Sequence, residues 1–292
     1  MTALPISVII PTYRRGPLLL RTIELLLRER PAELLIVDQT PDPDPEVTAT
    51  LLRLEREGLL RWLRLPCPSI PHALNVGVLN ATQEVVLVLD DDIVPGPELL
   101  AAHLQAHECG ARVVVGQILQ PGEVAAPLEP GEPFRFSSST PSEIEDVMAG
   151  NLSFRRELFL RVGGFDENFV RVAYRFESEF ADRVIAAGER ILFEPRARLD
   201  HLKEPRGGTR SYGEHLTTWQ PSHSVGSYYY HLVSARRTHR VANILRTPLR
   251  AIRTRHHLAR PWWIPVTLTA EALGLAWAVG LWARGPRRVG SS

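Results

Sequence analysis

The sequence predicts an α/β protein built on a mostly parallel, Rossmann-like sheet with helices on both faces. Short apolar runs alternate with segments that carry leucines at helical spacing over more than the first third of the chain. Such alternation is typical of parallel sheets in which the crossovers are helices. A hydrophobic content of 44% and a charged content of 23% fit a globular protein rather than a disordered one.

The predicted strands are short continuous apolar runs, which are typical of burial on both faces of a sheet. In order, the strands are "ISVII", "ELLIVDQT", "EVVLVLDDD" and "RILFEP", with a further candidate over residues 59–65. The predicted helices cover Pro17 to Arg30, "ATLLRLEREGLL", "PHALNVGVLNAT" and "FESEFADRVIAAGE". This order of elements predicts a doubly wound sheet.

Polar residues follow three of the predicted strands at the point where each strand ends. Tyr13 follows the first strand, Asp38 ends the second, and Asp90 to Asp92 end the strongest one. Ligands of open α/β sheets bind beyond the carboxyl ends of the strands. The sequence therefore places a candidate site at this edge.

The three consecutive aspartates, residues 90–92, indicate a cation site. Side chains at i and i+2 of an extended chain point the same way, so Asp90 and Asp92 can address one ion while Asp91 turns elsewhere. Hard carboxylate oxygens suit Mg²⁺ or Mn²⁺. The alternative is a helix N-terminus, because "DDIVPGPELLAAHL" also has the pattern of a helix start. One acid is enough for a cap, so the triplet favours the metal site.

Five segments occur in the order seen in glycosyltransferase family 2. They are "SVIIPTYRR", "LLIVDQT", "LNVGVLNATQEVVLVLDDDIVP", "AGNLSFRRELFLRVGGFDENF" and "FESEFADRVIAAGERILFEP". From about Ile6 to about His201 the chain resembles that family, which implies a GT-A fold, a nucleotide-diphosphate-sugar donor and a divalent metal, Mg²⁺ or Mn²⁺.

The resemblance also implies residue roles. The implied nucleotide-sugar-binding residues are Pro11, Thr12, Tyr13, Asp38, Asn75, Asp90 and Asp91, and the implied metal ligands are Asp90, Asp92 and His201. Leu74 stands where the family often has an arginine, so no donor preference is carried over. Arg14, Arg15 and His72 are candidates to replace it.

The family's general base is usually an acid on the helix that begins "FESEFADR" here. Matching Phe180 and Arg183 to that pattern puts Glu177 at the base position and Phe176 where a preceding acid is usual. Glu179 is a second candidate base. Asp166, in "GGFDE", is a third candidate, expected to shape the acceptor side. Inversion at the anomeric carbon is implied by the family.

We expect a catalytic domain over residues 1–201 and a C-terminal extension over residues 202–292. Between Arg236 and Arg260 there are eight arginines and no acid, and Trp262–Ala283 holds one charge, Glu271. Three interpretations stay open for this apolar segment: a membrane span, a helix in the membrane interface, or a helix packed on protein. Arginines beside it favour attraction to an anionic membrane.

The predicted function is transfer of a sugar to a hydroxyl of a glycan or lipid-linked acceptor. Two cysteines without ligand spacing and no visible signal peptide predict a cytoplasmic protein. The apolar segment and its arginines predict that this protein lies at the inner face of the cell membrane. A sugar-nucleotide nucleotidyltransferase and a non-catalytic binding protein derived from a transferase are the alternatives. Nucleic acid is not an expected partner, since no nucleic-acid motif accompanies the arginines.

Overall fold

The computed structural model describes residues 2–129, 131–204, 206–208, 212, 216–234 and 240–290. Its strands are β1 (Leu4–Thr12), β2 (Pro31–Asp38), β3 (Arg61–Arg64), β4 (Val85–Leu89), β5 (Ile93–Pro95), β6 (Val113–Leu119), β7 (Ser142–Ile144), β8 (Asn151–Arg155) and β9 (Ile191–His201). Its helices are α1 (Gly16–Glu29), α2 (Pro45–Arg56), α3 (Ile70–Asn80), α4 (Leu99–Glu108), α5 (Arg156–Arg161), α6 (Phe176–Ala186), α7 (Val225–Val233), α8 (Arg240–Ile252), α9 (Arg255–Ala259) and α10 (Ile264–Ala283), with a 3₁₀ turn over Pro261–Trp263.

The strands form one mixed sheet, which confirms the α/β class. The order is β3-β2-β1-β4-β8-β6-β9-β5, and β7 pairs with β9. The β3-β2-β1-β4 half is parallel throughout, as predicted. In the other half only β6 and β9 run parallel, while β8, β5 and β7 are antiparallel to their neighbours.

Each face of the sheet covers its own hydrophobic core. Alternate residues of β1 divide between the two: Ile6, Val8 and Ile10 pack with α1, α2 and α4. Ile9 packs on the opposite face with α3, α5, α6 and α7. Because the period of a strand is two, continuous apolar runs are what such a two-sided core requires.

The aspartate triplet does not begin a helix. The chain runs from Asp92 directly into β5, and the following helix, α4, starts at Leu99 with Glu98 as its N-cap residue. Helix capping therefore does not account for these three acids.

The C-terminal helices pack on the sheet through α7. Three consecutive tyrosines of α7 are almost fully buried, at 2% exposure or less. Small residues of α10, namely Thr267, Ala270, Gly274 and Ala278, form the buried stripe of that helix. Beyond α10 the backbone N–H of Val289 donates to the carbonyl of Gly163 at 2.9 Å, so the tail returns to the region before α6. Arg236 and Arg237 of the predicted basic segment lie outside the described residues.

The segment Pro261–Ala283 is long and apolar enough to cross a membrane, judged by length and composition. About 28% of its most apolar stretch is buried inside the protein. The other side of α10 exposes apolar side chains, including Leu268, Leu273, Val279 and Trp282. Among the described residues, α10 thus has one protein-facing side and one open apolar side.

Candidate active site

Asp90, Asp92 and His201 meet where β4 ends beside the end of β9. Each offers one ligand atom, and the three atoms lie within 4.8 Å of one another. His201 Nε2 lies 3.0 Å from Asp92 Oδ1 and 3.9 Å from Asp90 Oδ2. β5 and β9 pair so that Ile93 opposes His201, and this register sets the histidine next to the aspartates. The cluster has a donor set that suits a divalent ion.

The surroundings of this cluster also fit a metal ligand set. His201 Nδ1 lies 3.0 Å from Gln120 Oε1, a contact that places a proton on Nδ1. His201 Nε2 donates to Asp92 Oδ1 at 3.0 Å, so it becomes a ligand only when a cation takes the place of that proton. Burial would raise the pKa of Asp92, but the hydrogen bond from His201 and the charge of Arg15 lower it below its usual value. Asp92 is therefore an anion at neutral pH. The Asp90 side chain keeps 47% of its surface exposed, which leaves it accessible to a ligand.

Asp91 has a different environment from its neighbours. Its carboxylate accepts hydrogen bonds from the Thr12 hydroxyl and the Arg15 guanidinium, both at 2.7 Å. Arg15 also lies 3.2 Å from Asp92 and donates to the Arg206 carbonyl at 2.9 Å. Asp91 thus ties the end of β1 to the end of β4, and Arg15 ties both to the chain after β9.

Two neighbouring cavities share Thr12 and lie along this edge of the sheet. One, of about 180 Å³, is lined by Pro11, Tyr13 and the aspartate triplet. The other, of about 410 Å³, is lined by Asp38 and the loop from Thr40 to Asp44. The carboxylate of Asp38 accepts from the Thr40 backbone N–H at 2.8 Å and from the Trp62 indole at 3.3 Å. Together these spaces lie along the strand ends, where the sequence predicts the candidate site.

Glu177 lies beside the aspartates, at the start of α6. Its Oε1 accepts the backbone N–H of Ala149 at 2.6 Å. The next residue, Gly150, touches Asp90, because a Cβ there would lie 2.5 Å from Asp90 Oδ2. Burial, followed by the negative charge of Asp90, raises the pKa of Glu177 to about 8. Phe176, at the usual acid position, is a core residue packed edge-on against Phe165 at 5.2 Å.

Glu179 is not brought to the cleft. Its side chain is 1% exposed, and its oxygens accept from Arg183 and Arg288 at 2.8 Å. These two guanidinium groups leave little room for proton transfer to a substrate, so the geometry favours a structural role.

Asp166 is also engaged away from the cleft. It is fully buried and accepts from the Tyr229 hydroxyl at 2.9 Å and the Arg287 backbone N–H at 3.0 Å. It joins the segment before α6 to α7 and to the C-terminal tail. Asn75 behaves similarly, since its amide exchanges hydrogen bonds with the backbone of Phe165, both at 2.9 Å. Both residues therefore fix the position of the loop before α6.

Several residues of the cleft carry no sequence signal of their own. Gln120, which holds His201, comes from the end of β6. Arg171 lines the smaller cavity and stacks over Trp277 of α10, 5.8 Å from the ring centroid. Only its left-handed backbone, with φ of 63°, marks Arg171 as unusual, and dihedral angles cannot be read from sequence. His103 and His107 of α4 are both buried and bonded to the hydroxyl of Ser153 at 2.8 Å, so they belong to the core rather than to the cleft.

Solved structures of glycosyltransferases have the same fold. The mannosyltransferase PcManGT of Pyrobaculum calidifontis, in complex with GDP-Man and Mn²⁺, has a TM-score of 0.57 at 21% identity, over 98% of this chain and 80% of that one. S. aureus TarS, in complex with UDP-GlcNAc, has a TM-score of 0.62 at 16% identity, over 94% and 81%. GalNAc-T7, with UDP, GalNAc and Mn²⁺, scores 0.58 at 17% identity, over 79% of this chain and half of its own. The sheet with its acids at the strand ends is thus a GT-A fold.

The family follows from the sequence match. The model of glycosyl transferase family 2 matches residues 7–163, slightly more than half of the 292 residues. The chain belongs to glycosyltransferase family 2 and is a glycosyltransferase, which confirms the predicted family and enzyme class. A glucosyl-dolichyl phosphate glucuronosyltransferase of Haloferax volcanii is 26% identical over 223 residues, covering 67% of this chain and 68% of the relative.

Proposed function

We propose that the protein transfers a sugar from a nucleotide-diphosphate donor to a hydroxyl of a glycan or lipid-linked acceptor, with a divalent metal and with inversion. The observation that carries this proposal is the convergence of Asp90, Asp92 and His201 within 4.8 Å, beside a cavity at the strand ends. Family membership favours sugar transfer over nucleotidyl transfer.

Asp90, Asp92 and His201 would hold the ion, Mg²⁺ or Mn²⁺. A bound divalent ion supplies Lewis-acid neutralisation of the charge that develops on the leaving diphosphate. The donor set combines two carboxylates with an imidazole, and an imidazole is a ligand more typical of transition metals than of Mg²⁺. Mn²⁺ in two of the related structures agrees with this donor set.

The nucleotide is proposed to lie across the two cavities that share Thr12. Asp38 would accept a hydrogen bond from the base, while Pro11 and Tyr13 line the path to the metal ligands. The carboxylate of Asp91, bonded to Thr12 and Arg15, holds the walls of this path in place rather than contacting the donor.

Glu177 is proposed to deprotonate the acceptor hydroxyl. Its raised pKa, about 8, is close to neutral, where a general base is most effective. Inversion at the anomeric carbon is proposed from the family resemblance, and a single displacement by the acceptor oxygen would produce it. Glu179 and Asp166 would support the site through the ion pairs and hydrogen bonds already described.

The acceptor is proposed to be lipid-linked and the protein to act at the cytoplasmic face of a membrane. The relative from Haloferax volcanii is named for a dolichyl phosphate substrate. α8 and α10 expose apolar side chains, among them Val241, Leu245 and Trp282, next to arginines of the same segment. We propose that residues 1–201 carry catalysis and residues 202–292 provide this membrane-facing extension.

The test is release of nucleoside diphosphate across a panel of nucleotide sugars, with Mn²⁺ or Mg²⁺. Wild type should release the diphosphate from one donor only when metal is present. Asp92→Asn should reduce the rate by about 10³-fold, since removing one electrostatic contact to the transition state costs this much in other enzymes. Asp200→Asn is the matched control, because Asp200 is a half-exposed neighbour of His201 outside the cluster.

No release or binding of any donor by a folded wild type, with either metal, would overturn the proposal. If metal-dependent release is unchanged in Asp92→Asn, Asp92 is not a ligand of the metal. Circular-dichroism melting of both variants separates loss of the site from loss of the fold.

A further inference from the structure

A third cavity, of about 400 Å³, lies among α7, α8, α10 and the turn that precedes α7. None of its lining residues lines the two cavities at the strand ends. Its walls are of mixed polarity and include Arg175, Arg250, His223, His231 and Glu271. A cavity of this size, lined by several basic groups, is a candidate binding site.

The charge of this cavity favours an anion. Arg175 packs over the rings of Tyr174 and Tyr230, at 5.2 and 5.8 Å. Neither Arg175 nor Arg250 forms an ion pair with an acid in the described part of the chain. The one acid in the lining, Glu271, accepts the Tyr228 hydroxyl at 2.7 Å, and burial raises its pKa. Two guanidinium groups facing one cavity without carboxylate partners are suited to a phosphate group.

A strained backbone segment joins this cavity to the catalytic cleft. Arg171, Ala173 and Arg175 all have positive φ, between 56° and 74°. Such conformations are costly for residues other than glycine and persist only where surrounding contacts enforce them. Gly226 of α7 supplies one such contact, because a Cβ there would lie 2.3 Å from the Tyr174 carbonyl oxygen. The segment directs Arg171 to the cleft and Arg175 to the third cavity.

Helix α8 has its faces arranged the opposite way from a helix that packs on a core. Its apolar stripe is exposed: Val241, Leu245 and Leu249 show 71%, 66% and 49% of their surface. Its polar face, with Asn243, Thr247 and Arg250, lines the cavity instead. An amphiphile fits this arrangement, with an anionic group inside and an apolar chain along the outer face.

We propose that this cavity binds the phosphate of a lipid-linked sugar acceptor, while Arg175 and Arg250 contact the phosphate and the lipid chain follows the outer face of α8. This inference rests on the proposed transfer to a lipid-linked acceptor. The sugar attached to the phosphate then extends past the 171–175 segment toward Glu177.

The test is flotation of the full-length protein with three kinds of vesicle: phosphatidylcholine alone, with phosphatidylglycerol, or with an equal mole fraction of a polyprenyl glucosyl phosphate. Both additives carry one phosphodiester charge, so charge alone cannot separate them. Wild type should prefer the glycolipid, and Arg250→Gln should weaken that binding about tenfold through loss of a charge-assisted hydrogen bond. Arg175→Gln should act in the same direction.

Arg246→Gln is the matched control, because Arg246 is exposed on the same helix and does not line the cavity. Equal binding to both kinds of anionic vesicle, or an equal loss of binding in Arg246→Gln and Arg250→Gln, would overturn the proposal. Either result would show only a general attraction to a charged surface. Metal-dependent donor hydrolysis is measured on the same samples and should not change. Glycolipid preference in a wild type that hydrolyses no donor would support the cavity while overturning the proposed transfer.

Discussion

The region proposed to bind the donor and the region proposed to bind the acceptor are built by different means. The first, called the donor side here, comprises β1 to β4 and the acids after them, and its parallel ladders bring Thr12, Asp38 and Asp91 to one edge. The second, called the acceptor side, comprises residues 163–177 and α7 to α10, and its positions depend on side chains far apart in sequence. Asp166, for example, is held by Tyr229 and Arg287.

This difference has a functional consequence. A site fixed by strand register is rigid, because moving one residue requires breaking a ladder of backbone hydrogen bonds. A site fixed by helix packing and a strained loop depends on a few contacts, and exchanging those contacts alters its shape without disturbing the sheet. We therefore expect changes on the acceptor side to affect acceptor use while donor hydrolysis survives.

The largest expected effect is that of Glu177→Gln, which should impair transfer to the acceptor but leave donor binding unchanged. Glu177→Gln should lower the rate of transfer to acceptor by about 10²- to 10⁴-fold, the range typical of a lost general base. Binding of donor, measured by calorimetry, should stay within about twofold, a difference of less than 1 kcal/mol.

Glu179→Gln provides the comparison for this variant. Because Glu179 is buried between Arg183 and Arg288, its loss should reduce thermal stability more than the rate. Transfer at the wild-type rate by Glu177→Gln would show that another residue is the general base.

A smaller effect is expected from Gly226→Ala, which tests the strained segment. The added methyl group meets the Tyr174 carbonyl oxygen, so the free energy of unfolding should fall by about 1–3 kcal/mol. The Michaelis constant for acceptor should rise more than that for donor. Gly280→Ala is the control: nothing lies within 4 Å of its added Cβ, and a helical glycine replaced by alanine should gain about 0.5–1 kcal/mol. Equal changes in both Michaelis constants would contradict the separation of the two sides.

The smallest effect is a pH dependence of stability in the metal-free protein. Burial raises the pKa of Glu177 to about 8, above its unfolded value, so protonation favours the folded state. The contribution is complete below the ordinary pKa of 4.5, declines as the pH rises to about 8, and is constant above that. Melting temperatures between pH 6 and pH 8 should therefore fall more steeply in wild type than in Glu177→Gln. Parallel curves would show that Glu177 titrates normally.

The sequence indicated that acids lie at the strand ends, because these carboxylates follow apolar strands and that pattern is local. The predicted family and α/β fold are confirmed, while the assignments of individual site residues stay predictions. The acceptor side was less predictable from the sequence. Phe176 departs from the family pattern because it packs on Phe165, and the roles of Gln120 and Arg171 arise from contacts between distant elements.

The C-terminal tail has a mechanical consequence. The Val289 N–H bonds to Gly163, and Arg287 exchanges backbone and carboxylate hydrogen bonds with Asp166 and Glu167. These few bonds close a loop of the chain that contains α6, β9 and α7 through α10. A force that pulls the tail away from the sheet therefore acts on these bonds first. The helices around the third cavity should then detach while the sheet and its aspartates are still intact.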